Sequence, residues 1–432
     1  MYSIFLTIFI LNHKIKMSSL LVNVDPEILN RLASFAGELM TKTGGSNFVS
    51  DCNELIAKGN VSGLFSELLS QTAGVFAADA ADVDGFFVGI VYCIDSFCNG
   101  DVNEVVKAIA AVNGASAADP ALRLSVLVSM FNTSNSTKCR FELIKAVLSF
   151  AQDSNQCGQV FKFHQYVDAW VACWKLSTDE QRVLFRLMAE VLAVVSAGAG
   201  ADGGVPSSSA VAAATTTMTF SQKYLTTFSN AGEKLSAAQS EEYTKLATAA
   251  AVHAIRSGPA AHRLRGDIHR SLTASAHVKA TAELASLTEM LSVICAGSLP
   301  QFMALSTKNS ALMTQHKLSV EKVSHTVKLL TVCAAVEGEN SANSATISYD
   351  AIINSVKTKS DGSLDVSEVE YWIVETIANE LINATINQCD RTVTIRSCAV
   401  IQPQGIDSIR VQLSNINNSV SASTSTIGAP SN

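Results

Sequence analysis

The run Gly198-Ala199-Gly200-Ala201-Asp202-Gly203 has the GxGxxG spacing that lets a backbone approach a pyrophosphate. Dinucleotide chemistry needs a strand before those glycines and a helix after them, so that the helix N-terminus meets the phosphates. Here a helical pattern precedes the run, and Gly204-Val205-Pro206 with three serines follows, so the spacing alone carries no nucleotide site. Ser360-Asp361-Gly362-Ser363-Leu364-Asp365 has the residue types of a calcium loop. It lacks the alternating oxygen ligands and the glutamate at the twelfth position, and reads as a turn between two helices. The eight histidines form no HxH or HExxH pair; His262 and His269 lie seven apart, and His316 and His325 fall on polar helix faces, where a solvated imidazole is expected. The ten cysteines include no CxxC pair, and Cys93 and Cys98 lack further ligands at zinc spacing. Most sit in apolar runs such as Val91-Tyr92-Cys93-Ile94, as reduced, buried thiols do in a cytoplasmic protein. No GxSxG elbow or P-loop occurs. The expectation is a protein with no catalytic, cofactor-binding or metal-ligating residues.

Two stretches have residue types suited to polyanions. His262-Arg263-Leu264-Arg265, with His269-Arg270 one turn on, is either a solvated helix face or a contact for phosphate or an acidic partner. Tyr371-Trp372 could stack on bases from a groove-reading helix. Its neighbours Glu368, Glu370 and Glu375 repel phosphate, and Val369, Trp372, Ile373 and Ile377 read as core. The net charge of −7 argues against a dedicated nucleic-acid binder. Apolar residues make up 48 % of the 432, charged ones only 16 %, and the mean hydropathy is +0.24. A chain this apolar suits burial against partners.

The elements that must position these residues are helices. Residues 1–16 read as a leader or disordered extension: eleven mostly apolar residues, then His13, Lys14 and Lys16, too short to span a membrane and without a cleavage site. An N-terminal helical region follows over 17–115, with Asp25-Pro26 and Asp101 as helix starts. Asp119-Pro120 opens helical repeats over 116–220. There Val167, Trp170, Val171 and Trp174 lie on one buried stripe, and Ser177 with Glu180 forms a capping box. A low-complexity break of Ala, Gly, Ser and Thr over 196–217 reads as a mobile loop. Helices resume over 221–345, with Ser257-Gly258-Pro259 as a stop and restart.

The last hundred residues change period. Two helices between Tyr349 and Ile377 lead into alternating runs at 381–386 and 391–395, split by Asn387-Gln388-Cys389-Asp390. Helix, helix and hairpin form a winged helix over 346–400. Ile409, Leu413, Ile416 and Val420 then repeat at coiled-coil spacing in a helix over 404–420, too short to be stable alone. A disordered tail over 421–432 ends the chain. The hairpin leaves an edge that needs pairing. The residues expected to meet partners are therefore Leu381, Ile386, Val393, Ile395, Ile409, Leu413, Ile416 and Val420.

This order of elements resembles the PCI-domain family, the helical-repeat and winged-helix module of translation initiation factor 3, the proteasome lid and the signalosome. Residues 121–131, 170–178, 182–192, 327–330, 347–350 and 366–377 resemble the M subunits of eukaryotic initiation factor 3, and the likeness runs in patches from about Pro120 to Val420. It implies an all-α fold, a right-handed α-solenoid followed by the winged helix and a C-terminal helix. The implied function is a non-catalytic scaffold subunit in the cytoplasm that supports recruitment of mRNA to the small ribosomal subunit. Its implied partners are other PCI and MPN subunits and the small ribosomal subunit, with indirect mRNA or rRNA contact, no cofactor and no membrane. The first hundred residues match loosely, and 196–217 looks inserted. A lid or signalosome subunit, or a free nucleic-acid-binding winged-helix protein, fits the same order of elements.

Overall fold

Short polar side chains set the helix starts. In the computed structural model, which describes residues 27–41, 48–198, 208–228, 235–275, 277–278, 281–340, 346–360 and 368–398, the Asp101 carboxylate accepts from the Asn103 N–H at 2.9 Å and that of Asp119 from Ala121 at 3.1 Å. Pro120 occupies the first turn behind Asp119, where its missing N–H costs nothing. At Ser177 the expected capping box forms: the Ser177 N–H donates to Glu180 at 2.8 Å and the Glu180 N–H to the Ser177 hydroxyl at 3.4 Å. Asp25-Pro26 and residues 1–16 lie outside the described residues.

The chain forms two compact units, Met1–Thr216 and Thr217–Asn432. In the first, α1 (Glu27–Thr41), α2 (Phe48–Ala57), α3 (Val61–Ser70), α4 (Thr72–Val75), α5 (Ala80–Phe97), α6 (Val102–Gly114), α7 (Pro120–Thr133) and α8 (Thr137–Asp153) follow one another in sequence. Helices two apart in sequence also pack, α5 on α7 and α6 on α8, which is the two-layered stacking of helical repeats. Next come α9 (Cys157–Val160), a 3₁₀ segment (Phe161–Gln165), α10 (Val167–Trp174) and α11 (Thr178–Gly198), the last packed on α8. Trp170 is 5 % exposed, and its ring stacks on Trp174 at 5.5 Å and meets Phe131 edge-on at 5.4 Å.

Residues 196–217 depart from the expected loop. Helix α11 runs to Gly198, and α12 (Ser208–Thr226) begins within the stretch; 199–207 lie outside the described residues. Alanine has the best helix propensity, and Ala213, Thr217, Met218 and Phe220 are buried. One-sided burial outweighs the loop-like composition.

The second unit contains the residues of α12 from Thr217 on, α13 (Ala237–Arg256), a 3₁₀ turn (Pro259–Ala261), α14 (His262–Ala274), α15 (Ala282–Ala296), α16 (Leu299–Lys308), α17 (Ser310–Gln315) and α18 (Val320–Asn340). Helix α13 packs on α14 and α15, and α18 on α15 and α16. Gly297 ends α15 at φ +66°, with the Leu330 carbonyl carbon and oxygen of α18 3.3 Å from where a Cβ would stand. The Thr331 hydroxyl donates to the Gly297 carbonyl at 2.6 Å. Gly297→Ala therefore meets both a left-handed backbone and a crowded one, and should cost about 1–2 kcal/mol in urea unfolding. A loss under a few tenths would mean that the turn relaxes freely.

An arginine device recurs in both units. Arg123 in α7 donates through Nε to the Val112 carbonyl at 3.0 Å and through Nη2 to that of Asn113, so it holds the C-terminal end of α6. Arg265 in α14 donates to Ala254 at 3.0 Å, Ser257 at 2.6 Å and Gly258 at 2.9 Å, all carbonyls at the end of α13. In each case the Nε acceptor lies 11 residues back. The expected solvated face at Arg265 is corrected: the side chain is 0 % exposed, because carbonyls left over at a helix end need a donor.

The chain closes its described part with β1 (Thr346–Ser348), α19 (Tyr349–Ser360), α20 (Val369–Ala378), β2 (Ile382–Asn387) and β3 (Thr392–Cys398). This is the expected winged helix with one strand more. The three-stranded antiparallel sheet has the order β1-β3-β2. The calcium-like run falls largely in residues 361–367, outside the described residues.

Candidate assembly interface

The winged helix is built around one apolar layer. Ile347 of β1, Ile352 and Val356 of α19, Val369, Trp372 and Ile373 of α20, and Val393 and Ile395 of β3 are all buried. Val369, Trp372 and Ile373 are core residues as expected, and Ile377 is half-buried. The long helix α18 supports the layer: its His325 ring lies 5.6 Å from the Trp372 ring, and the Lys328 Nζ 5.3 Å from it. His325 is therefore half-buried against that ring rather than fully solvated. His316 is corrected in the same way, since its Nε2 lies 2.7 Å from Glu283 Oε1.

The sheet determines which residues remain available to a partner. Val393 and Ile395 sit on the central strand, which has β1 on one side and β2 on the other, and their side chains point into the core. Leu381 is 0 % exposed, just before β2 begins. Of the four hairpin residues expected at a partner surface, three are buried and Ile386 is half-buried near the end of β2. Among the described residues, the open backbone edges belong to β1 and β2. A bulge where Asn383–Ala384 faces Ser397 and Ile395 sets Arg396 outward. Ile409, Leu413, Ile416 and Val420 lie outside the described residues. The strand Thr346–Ser348 escaped sequence reading because three residues are too few to display alternation.

The hairpin turn is held locally. The Asn387 amide donates to Asp390 at 2.7 Å, and the Asp390 N–H donates back to the Asn387 amide oxygen at 3.2 Å. The Gln388 amide reaches across to the Glu370 carboxylate of α20. An open groove of about 630 Å³ lies between helix and turn, lined by Glu370, Val374, Ile386, Gln388 and Cys389 among others.

Several titratable groups elsewhere are buried. Burial pushes the Cys52 thiol up to about 11 and Cys93 to about 12, which removes them as thiolate nucleophiles near neutral pH. Burial also raises Asp95, whose carboxylate receives the Asn135 N–H and so orders the start of α8. In the basic cluster Arg270 pairs with Asp267 at 2.5 Å and Arg265 points inward, so no set of cations converges on a phosphate there. Among the described residues no three His, Cys, Asp or Glu side chains gather to hold a metal, and no helix is long and apolar enough to cross a membrane.

Comparison with known proteins adds two findings. The PCI domain family matches residues 306–397, which span the end of α16, α17, α18 and nearly all of the winged helix. Eukaryotic translation initiation factor 3 subunit M from Dictyostelium discoideum is 22 % identical over 381 residues, covering 86 % of this chain and 85 % of the relative. The chain thus carries a PCI domain and is similar to that subunit along most of its length.

Proposed function

We propose that this chain is a non-catalytic scaffold subunit of a translation initiation factor 3 complex. It assembles through the edge of its winged-helix sheet and through its C-terminal residues, and it supports recruitment of mRNA to the small ribosomal subunit in the cytoplasm. Other PCI and MPN subunits and the small ribosomal subunit are its partners, and any contact with RNA is indirect. The observation that carries the reading is the PCI domain at 306–397 set in a chain that resembles a named initiation-factor subunit over most of both lengths. The open edge of β2 adds a physical means of assembly, because unpaired backbone groups can accept a further strand from a neighbour.

The winged helix also invites a nucleic-acid reading, which the carboxylates of α20 oppose. The deciding experiment is capture of the tagged full-length chain and mass spectrometry of what it retains. Initiation-factor subunits are the expected company; proteasome-lid or signalosome subunits in their place sink the proposal. Replacing both Leu413 and Ile416 with Asp should release the chain from the complex with its circular-dichroism helicity intact. Ile386→Lys should weaken assembly through the other surface, since a lysine on an edge strand discourages pairing. Undiminished co-sedimentation of both variants with the complex would count against these two surfaces.

A further inference from the structure

We propose that the outward face of α20, with the groove beside it, binds a segment of another protein that carries an apolar side chain flanked by lysine or arginine. The proposal rests on the scaffold reading above and names the chemistry of the partner. Helix α20 turns Val369, Trp372 and Ile373 inward, and its other face carries Glu370, Tyr371, Val374 and Glu375. Tyr371 is 51 % exposed and Val374 48 %, a concentration of open apolar surface on a helix of only ten residues. Val374 also lines the 630 Å³ groove, so the ridge continues into a recess that ends against Ile386 and Cys389.

Charge selects the occupant. From residue 368 to 390 the chain holds Glu368, Glu370, Glu375, Glu380 and Asp390, and no lysine, arginine or histidine; the neighbouring cations Arg391 and Lys328 lie over the Tyr349 and Trp372 rings. Glu370 and Glu375 bracket Val374 in sequence, and the hydrogen bond from Gln388 fixes Glu370 at the groove wall. RNA phosphate is repelled by such a face. A second copy docking by the same patch would set carboxylates against carboxylates. A cationic segment with an apolar anchor satisfies both the ridge and its acidic flanks.

The test uses the full chain in its purified complex, with a photo-crosslinking side chain in place of Val374 and mass spectrometry of the captured peptide. A captured segment of another protein with lysine or arginine within a few residues is expected. In parallel, the double substitution Glu370→Lys with Glu375→Lys should weaken association with that protein at least about tenfold, and the pair Glu370→Gln with Glu375→Gln should weaken it less and reduce its salt dependence. Glu375→Lys alone, which leaves the Gln388 bond in place, should fall between them, with its thermal midpoint unchanged. Crosslinks to RNA, to a second copy, to residues 13–16 of this chain or to a segment without basic residues overturn the proposal, as does undiminished association of the charge-reversed chain. Should the wild-type chain retain no initiation-factor subunit while the crosslink still lands on a basic, apolar segment, the scaffold reading fails and this one stands.

Discussion

Trp170→Ala should destabilise the first unit by about 4 kcal/mol, within the range for truncating a buried indole. The ring is 5 % exposed and lies at the centre of an aromatic group: Trp174 at 5.5 Å, Phe131 at 5.4 Å, Phe163 at 5.9 Å and Tyr166 at 6.2 Å. Removing it opens a cavity bounded by rings carried on two different helices and the 3₁₀ segment between them. Trp170→Phe should cost much less, about 1 kcal/mol. The indole N–H has no acceptor among the described residues, so the smaller ring forfeits no hydrogen bond. Urea unfolding followed by hydrogen exchange in α7 and α10 separates this unit from the other. A loss below about 2 kcal/mol for the alanine variant would mean that the aromatic group is peripheral to stability.

The second large effect is expected at Arg265. Its guanidinium serves three carbonyls at the end of α13 while fully buried, and burial pushes its pKa down to about 10. Arg265→Met keeps most of the volume but leaves those carbonyls without their donor, at a cost of about 3 kcal/mol. Arg265→Lys preserves the charge and should still lose about 2 kcal/mol, because a single ammonium cannot reproduce the planar fork that reaches Ala254 and Gly258 together. Trp372 is the only tryptophan in the second unit, so its fluorescence in a chain lacking Trp170 and Trp174 reports this unit alone. Wild-type stability in the methionine variant would show that other donors readily replace the guanidinium.

How far the sequence discloses this molecule depends on the range over which each feature is determined. The caps at Asp101, Asp119 and Ser177 lie within three residues of the groups they satisfy and were legible. So was the Trp170 stripe, which follows from helical spacing, and the β2–β3 hairpin, which follows from alternation around a polar turn. Arg265 was misread because its partners lie seven to eleven residues back, across a helix boundary, where a local basic cluster is the stronger pattern. The helix from Ser208 was hidden by composition, since Ala and Thr suit a loop as well as a buried helix face. For the interface, the alternation of β3 correctly marked Val393 and Ile395 as apolar. It could not tell that β1, 48 residues away at Thr346 and Thr394, would cover that strand's second edge. The acidic character of α20 was plain from its letters; the exposure of Tyr371 and Val374 needed the packing of Trp372 against α18.

The middle strand of the sheet is also the last to be made. Until β3 emerges, β1 and β2 have no strand to bond, whereas the early helices find their neighbours a few dozen residues away at most. Because synthesis runs from the amino end, the array can set before the wing does. The three-stranded sheet is thus withheld until the chain has been read through Cys398, and a nascent polypeptide cut short of that point would keep its helices and lack the strand that joins β1 to β2.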